Sequence, residues 1–242
     1  MKTINNETLE LLRTLSQEDM FITNKAKLIG GTALAYHLNH RESFDLDICF
    51  YNNPKLPNLD FLNKYFAQEI EFNKSTVDEF INDGGNVYEY HRRFIINSVK
   101  VDFVTNVGSN IYENEILKKD NGTKFNNIDI ASVESIFKLK SLLLIDRNKL
   151  RDLYDICYLI QNDYFKGGDI IDTIKNYRIT YQDKDIISLI KSRAEDIVDT
   201  HGEPIINATK TIPTNYQEIK DYIIKQIEKN LNKPSSSRKY KR

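Results

Sequence analysis

Two aspartates separated by a single residue are the most chemically informative pair in the sequence. Asp45 and Asp47 occur in the β-prone run FDLDICFY. Side chains two residues apart on a strand project from the same face, so these carboxylates would repel each other unless a cation lay between them. Carboxylate oxygens suit Mg²⁺, which proteins commonly hold through one or two carboxylates while substrate phosphates complete its coordination. The pair therefore indicates a magnesium site.

A third acid fits the same scheme. Asp102 lies in the run VKVDFV, between the apolar residues Val101 and Phe103. Strand alternation then places its carboxylate on one face with Lys100 and away from the core. Asp102 is therefore a candidate third member of the acidic site.

The sequence Gly30-Gly31-Thr32 carries a different chemistry. An apolar run that turns through two glycines into a helix exposes backbone N–H groups and a helix N-terminus to a phosphate, and Thr32 adds a hydroxyl. Alone, two glycines are more often an ordinary turn, and an acid pair is more often a solvated strand edge. Together, a phosphate site and a metal-binding acid pair indicate transfer of a nucleotidyl or phosphoryl group.

The elements that must position these residues can be predicted from the hydrophobic pattern. Residues 26–29 predict a strand that turns into a helix capped by Thr32, and residues 44–51 predict a second strand. Residues 86–97 and 98–105 alternate polar with apolar side chains, and Asn97-Ser98 between them predicts an antiparallel hairpin. The sheet should therefore be mixed.

The second half of the chain follows a helical period. Apolar spacing predicts helices in VESIFKLKSLLLI, LRDLYDICYLI, DIISLIKSRAEDIVD and YQEIKDYIIKQIEKNL. We predict an α+β chain with a mixed β-sheet in a core domain at 1–130 and a helical bundle at 131–231. Residues 232–242 lack apolar periodicity and are predicted to form a disordered basic tail.

Composition excludes several classes of protein. The 242 residues include 34 Lys and Arg against 35 Asp and Glu, so the net charge of −1 argues against a general nucleic-acid coat. The only two cysteines, Cys49 and Cys157, lie far apart, which indicates reduced thiols in a cytoplasmic protein. No run approaches a membrane span, and the acidic N-terminus is unlike a signal peptide. Any contact with nucleic acid must therefore be local.

Two motifs in series resemble a known family. The first is Gly30-Gly31-Thr32-Ala33-Leu34, then His40-Arg41-x-Ser43-x-Asp45-Leu46-Asp47, then Asp102; the second is Lys140-x6-Arg147-x3-Arg151-Asp152-Leu153-Tyr154-Asp155. Both resemble the polymerase β-like nucleotidyltransferases and, more closely, the AbiEii-like toxins of type IV toxin–antitoxin and abortive-infection systems. The second motif is similar to that family's K…R…RDxxD signature. The resemblance implies a polymerase β-like core with a helical C-terminal domain.

The resemblance also implies roles for individual residues. NTP and Mg²⁺ would be the reactants, with Asp45 and Asp47 holding one or two metal ions and Asp102 binding a metal or taking the acceptor's proton. The triphosphate would be held by Gly30, Gly31, Thr32 and Ser43. Lys140 would neutralise its developing charge, and Arg147 would share the Lys140 face if their helix is continuous. Asp155 would either orient Lys140 or an incoming base, or only pair with Arg151 along one helix.

The acceptor is left open by the sequence. Cations between Lys138 and Arg151 favour RNA, with tRNA as the leading candidate, and the toxin resemblance implies a cognate antitoxin. Transfer to a protein or to a small hydroxylated molecule uses the same chemistry. The alternative from a different class is a catalytically silent binding module of the same fold. Retention of all three acids argues against it, because unneeded carboxylates facing inward would cost stability.

Overall fold

The protein was analysed as a computed structural model that describes residues 3–105, 113–195, 212–213 and 215–231. Among these, the residues up to Leu139 form one compact unit and those from Lys140 onward form a second. The first contains a seven-stranded sheet and the second is helical. The predicted mixed α+β class is therefore confirmed. The predicted domain boundary at residue 130 stays a prediction, and the predicted tail at 232–242 lies outside the described residues.

The first unit is organised around its sheet. The strands are β1 (Lys27–Ile29), β2 (Leu46–Cys49), β3 (Gln68–Ile70), β4 (His91–Ile96), β5 (Val99–Val104), β6 (Thr123–Phe125) and β7 (Ile128–Ile130). Their order is β3-β4-β5-β2-β1-β7-β6. The β1–β7 and β2–β5 pairs are parallel, while the other neighbours are antiparallel. The predicted mixed sheet is therefore observed.

Helices are interspersed with these strands along the sequence. They are α1 (Asn6–Leu15), α2 (Met20–Asn24), α3 (Gly30–Leu38), α4 (Lys74–Asn82) and α5 (Asn114–Lys118), with 3₁₀ turns at Asp60–Tyr65 and Val87–Glu89. Helix α3 begins at Gly30 directly after β1, as the glycines predicted. The residue at the N-cap position is Ile29, so Thr32 lies inside the first turn. The prediction that Thr32 caps this helix is therefore wrong.

One face of the sheet is apolar because strand alternation separates the side chains. Leu46, Ile48, Val101 and Phe103 are fully buried on that face. The Phe103 ring stacks near Phe50, with 6.2 Å between the centroids. The residues that alternate with these are the candidate site residues, so the buried face fixes which way the acids point.

The predicted hairpin is confirmed, with a two-residue turn. Asn97 and Ser98 both adopt positive φ angles, 49° and 66°, which is the conformation of the tight turns that join antiparallel strands. This turn pairs Ile96 with Val99 and sets the register of the whole β4–β5 pair. The hairpin thereby places Arg93 opposite Asp102.

The second unit is built from helices that contribute apolar faces. They are α6 (Val133–Asp146), which begins in the first unit, then α7 (Leu150–Gln161), α8 (Gly167–Tyr177), α9 (Asp183–Ser192) and α10 (Tyr216–Leu231). Helix α10 packs against α7, α8 and α9. Gly167 lies where a Cβ would overlap the backbone of Gln226 and Ile227, so a glycine there lets α8 approach α10 closely. Within the described ranges, none of the helices is both long and apolar enough to span a membrane.

Candidate active site

The strand register brings the predicted acids to one face of the sheet. Asp47 on β2 lies directly opposite Asp102 on the neighbouring parallel strand β5. Asp45 lies one residue before β2, and by alternation it shares the face of Asp47. Residues directly opposite each other point to the same side of a sheet, so Asp102, which is distant in sequence, lies on the same face as Asp45 and Asp47.

Lys100 supplies a cation among these acids. Its ammonium lies 2.9 Å from Asp102 Oδ2. Burial would lower the pKa of Lys100, but attraction from Asp102, and then from Asp45 and Asp47, raises it above the usual range. Lys100 therefore places its ammonium group where the three acids favour a positive charge.

Asp102 is held ionised by its surroundings. Only 8 % of the residue is exposed, and burial would raise its pKa. His91 Nε2 lies 3.3 Å from Asp102 Oδ1, and this hydrogen bond together with the charge of Lys100 lowers the pKa below its ordinary value. Asp102 is thus available as an anionic ligand or as a proton acceptor.

The glycine turn meets the acids directly. Gly30 has a φ of +74°, and a Cβ built on it would overlap Asp47 Oδ2. A positive φ favours glycine, and here the missing side chain also lets the start of α3 approach the Asp47 carboxylate. The glycine turn and the acid pair are therefore in contact, with the helix N-terminus beside Asp47.

The second glycine and the hydroxyls organise the adjacent loop. A Cβ on Gly31 would overlap the Arg41 guanidinium and would lie 3.3 Å from Ser43 Oγ. Thr32 Oγ1 lies 2.8 Å from Ser43 Oγ and donates to the backbone carbonyl of Asp45. Both hydroxyls are buried and hold the approach to Asp45 in place. Their predicted contact with the triphosphate stays a prediction.

The chemistry of this face suits a hard divalent cation. Its acids offer carboxylate oxygens, and the raised pKa of Lys100 shows that positive charge is stabilised beside them. However, the described part of the chain has no group of three acidic, histidine or cysteine side chains arranged to hold a metal ion. The donor types fit Mg²⁺, and Asp45, Asp47 and Asp102 remain its predicted ligands.

The second motif forms a buried ion cluster in the helical unit. Lys140 Nζ lies 2.5 Å from Asp152 Oδ1 and 2.9 Å from Asp155 Oδ2. Arg147 lies 3.2 Å from the other Asp152 oxygen. Burial would raise the pKa of Asp152, but attraction from Lys140 and Arg147 lowers it to about 2. The spacing of the RDLYD run therefore places two acids on one side of α7, where they share one lysine.

This cluster bears on two sequence interpretations. Asp155 contacts Lys140, which supports its role in orienting that lysine. The helix is not continuous through Arg147, because α6 ends at Asp146 and α7 begins at Leu150. The condition for Lys140 and Arg147 to share one helix face is therefore not met, and Asp152 instead contacts both of them. The predicted action of Lys140, Arg147 and Asp155 on a nucleotide stays a prediction.

Sequence reasoning did not assign Arg41, Lys100, His91 or Arg93 to the site. Arg41 was visible within the first motif, and it is buried beside Gly31 with Nη1 donating to the Glu42 carbonyl. Lys100 was noted as a neighbour of Asp102. His91 and Arg93 lie on the same face of β4, and the two-residue turn was the signal that places Arg93 opposite Asp102.

Comparison with known proteins agrees with the motifs. The chain matches a family model described as nucleotidyl transferase AbiEii toxin, type IV TA system, over residues 13–242. A crystal structure of a candidate nucleotidyltransferase from H. pylori is similar at 16% identity and a TM-score of 0.45, covering 93% of this chain and 98% of that chain. No curated protein matches. Because the family model covers nearly the whole sequence, the chain belongs to the AbiEii family of nucleotidyl transferase toxins from type IV toxin–antitoxin systems.

Proposed function

We propose that the protein transfers a nucleotidyl group from an NTP to a hydroxyl of an RNA acceptor, with tRNA as the first candidate, in a Mg²⁺-dependent reaction. The observation that carries the proposal is the contact between the glycine turn and the acid face. Gly30 lies against Asp47, and Asp47 lies opposite Asp102. The helix start that we propose as the phosphate site is thus adjacent to the acidic sheet face.

The reaction balances as an exchange at the α-phosphorus. The acceptor's hydroxyl oxygen forms a new bond to that phosphorus, the bond to the bridging oxygen breaks, and pyrophosphate leaves. The hydroxyl proton passes to Asp102 or to water, since the lowered pKa of Asp102 keeps its carboxylate ionised. Bound Mg²⁺ would neutralise charge on the phosphate oxygens.

The chain's own groups have separate tasks in this scheme. The backbone N–H groups at Gly30 and Gly31 would bind phosphate oxygens at the start of α3. Arg41, buried beside Gly31, would add positive charge on the same side. Thr32 and Ser43 would hold this loop in position through their shared hydrogen bond. Asp45 and Asp47 would hold the metal.

Family membership implies a nucleotide substrate and a cognate antitoxin. We propose that the protein acts in the cytoplasm, where NTPs, Mg²⁺ and RNA are available together. Cys49 and Cys157 are both buried and free, in agreement with a reduced setting. Co-expression of the cognate antitoxin should restore growth to cells that produce the active toxin.

The test is label transfer with each of the four NTPs, Mg²⁺ and total tRNA. NTP labelled at the α-phosphate should label RNA, whereas NTP labelled at the γ-phosphate should not, which distinguishes nucleotidyl from phosphoryl transfer. Asp47→Asn should abolish the signal. The matched control is Asp129→Asn, which changes a strand aspartate on β7 that pairs with Lys124.

Other outcomes would redirect or end the proposal. Label on a protein or on a small hydroxylated molecule, with none on RNA, would replace the acceptor. Absence of label on every acceptor, together with no NTP binding in calorimetry, would indicate the silent binding module. Equal activity of Asp47→Asn and the wild type would remove the acid face from the mechanism.

A further inference from the structure

A cluster of aromatic and cationic side chains lies beside the acid face. We call it the β4 cluster: Phe72, which follows β3, Tyr88, which precedes β4, and His91 and Arg93 on β4. The Phe72 ring centroid lies 5.6 Å from that of Tyr88 and 5.0 Å from that of His91. The Arg93 guanidinium carbon lies 4.0 Å from the Phe72 centroid. All four residues are partly exposed.

The β4 cluster shares the sheet face of the acids. Arg93 lies directly opposite Asp102, which lies opposite Asp47. His91, two residues before Arg93, is in contact with Asp102. Side chains at these register positions point to the same side, so the cluster and the acids form one continuous surface.

The composition of this surface points to a nucleotide. Flat rings with partial exposure stack on unpaired bases, and a guanidinium contributes both stacking and phosphate binding. Arg93 donates from Nη2 to the Glu71 carbonyl, while its buried Nε has no acceptor among the described residues. A buried donor without a partner is costly, and the partly exposed Arg93 side chain is suited to a charge-assisted hydrogen bond with a phosphate oxygen.

The order of strands indicates whether this nucleotide is the NTP or part of the acceptor. The glycine turn follows β1, on one side of β2 and β5, whereas β4 lies on the other side. In-line displacement requires the attacking oxygen and the leaving pyrophosphate on opposite sides of the phosphorus. If the triphosphate lies at the glycine turn, the acceptor must approach from β4.

We propose that the β4 cluster binds the unpaired terminal nucleotide of the RNA acceptor, with the base against Phe72 and Tyr88 and a phosphate on Arg93. This inference rests on the proposed function and specifies its acceptor side. Recognition through ring faces requires a base that is not paired in a duplex. The cluster should therefore prefer single-stranded RNA ends to blunt duplexes.

The experiment measures RNA binding by the full chain and needs no turnover. A fluorescein-labelled RNA hairpin with an unpaired 3′ end is titrated in an anisotropy assay, with a blunt hairpin of equal length as comparison. The double variant Phe72→Leu/Tyr88→Leu keeps apolar side chains, of smaller volume, but removes both rings. It should bind the unpaired end at least about fivefold more weakly, and it should bind the blunt hairpin as the wild type does.

Two controls separate a lost contact from a damaged fold. Phe66→Leu changes a highly exposed ring at the opposite end of β3 and should leave binding unchanged. Phe72→Tyr/Tyr88→Phe keeps both rings and should retain binding. Circular dichroism and thermal melting check each variant, and NTP affinity measured by calorimetry should be unchanged in all of them.

Several outcomes would overturn the inference. They are equal RNA affinity of the wild type and the leucine variant, an equal loss with Phe66→Leu, and the absence of RNA binding by the wild type. If the wild type in these cases still binds NTP and transfers its nucleotidyl group, only the β4 cluster assignment fails. If the wild type neither binds NTP nor transfers its nucleotidyl group, the proposed function fails instead. Specific binding of a protein acceptor at this cluster would also replace the RNA.

Discussion

Replacing Gly30 with alanine should separate the geometry of the site from the stability of the fold. Gly30 has a φ of +74°, where an L-residue costs roughly 1–2 kcal/mol. The new Cβ would also overlap Asp47 Oδ2. The overlapping atom is the end of a side chain and can rotate away, so the clash should cost little stability but should move the carboxylate.

Gly84 provides a matched control for the backbone strain. Its φ is +77°, and a Cβ there would meet no heavy atom within 4 Å. Gly84→Ala and Gly30→Ala should therefore lower the free energy of unfolding by about the same amount. Each 1 kcal/mol lost should lower Tm by roughly 2–4 °C. Only Gly30→Ala should displace Asp47, and a misplacement of about 1 Å can cost on the order of 100-fold in rate.

The assay compares thermal melting with nucleotidyl transfer in the two variants. Gly30→Ala should lose about 100-fold in kcat with a small change in Tm, and Gly84→Ala should keep wild-type activity. Equal activity of the two variants would refute the claim that Gly30 is required for the position of Asp47. A collapse of Tm in Gly30→Ala alone would show that the clash is absorbed by the fold and not by the carboxylate.

The remaining predictions concern charged groups. Burial would raise the pKa of Asp152, but Lys140 and Arg147 lower this pKa to about 2. The ionised carboxylate therefore adds about 2 kcal/mol to the free energy of unfolding above about pH 4, and this contribution is lost as the pH falls towards 2. Urea unfolding of wild type and Asp152→Asn across this range should converge at low pH, and parallel curves would contradict the assignment. Lys27 donates to two backbone carbonyls and to Asp120, so Lys27→Met should lower the free energy of unfolding by about 3–5 kcal/mol, and adding Asp120→Asn should recover part of the loss. Lys100→Met should bind Mg²⁺ about 30-fold more tightly, because a unit charge about 4 Å from a divalent cation costs about 2 kcal/mol even in water and each 1.4 kcal/mol is about tenfold. Calorimetry measures this affinity, and an unchanged value would argue against competition between Lys100 and Mg²⁺ for the acids.

The hairpin could be predicted from sequence because its determinants are local. Asn97-Ser98 is a two-residue turn, and such a turn fixes every pair along the two strands. The position of Arg93 opposite Asp102 could have been worked out from it. The pairing of Asp47 with Asp102 could not, because β2 and β5 are separated in the chain by β3, α4 and β4. Only the complete sheet order reveals that contact.

The interruption between α6 and α7 could also be predicted from sequence, but the contact beside it could not. The polar residues 146–149, Asp-Arg-Asn-Lys, separate the apolar runs VESIFKLKSLLLI and LRDLYDICYLI, although neither glycine nor proline marks the break. In the structure Asn148 is buried, and its side-chain amide lies 3.1 Å from the Tyr216 hydroxyl on α10. A tertiary contact with a distant helix therefore accompanies the break, and nothing in the local sequence indicates that contact. The break lets α7 turn so that Asp152 and Asp155 both reach Lys140.

The distribution of charge follows from these contacts. The run of cations from Lys138 to Arg151 favours phosphate binding in the sequence, but Lys138 pairs with Glu134 and Lys140 lies between two aspartates. A cation that is paired with a carboxylate neutralises less of a phosphate's charge, so this run should contribute less to RNA affinity than its length suggests. Lys100 has the converse effect on the sheet, where it offsets part of the negative charge of Asp45, Asp47 and Asp102. Because both clusters are compensated by their own neighbours, recognition of RNA must depend more on contacts such as base stacking than on net charge. The salt dependence of RNA binding should accordingly be shallow.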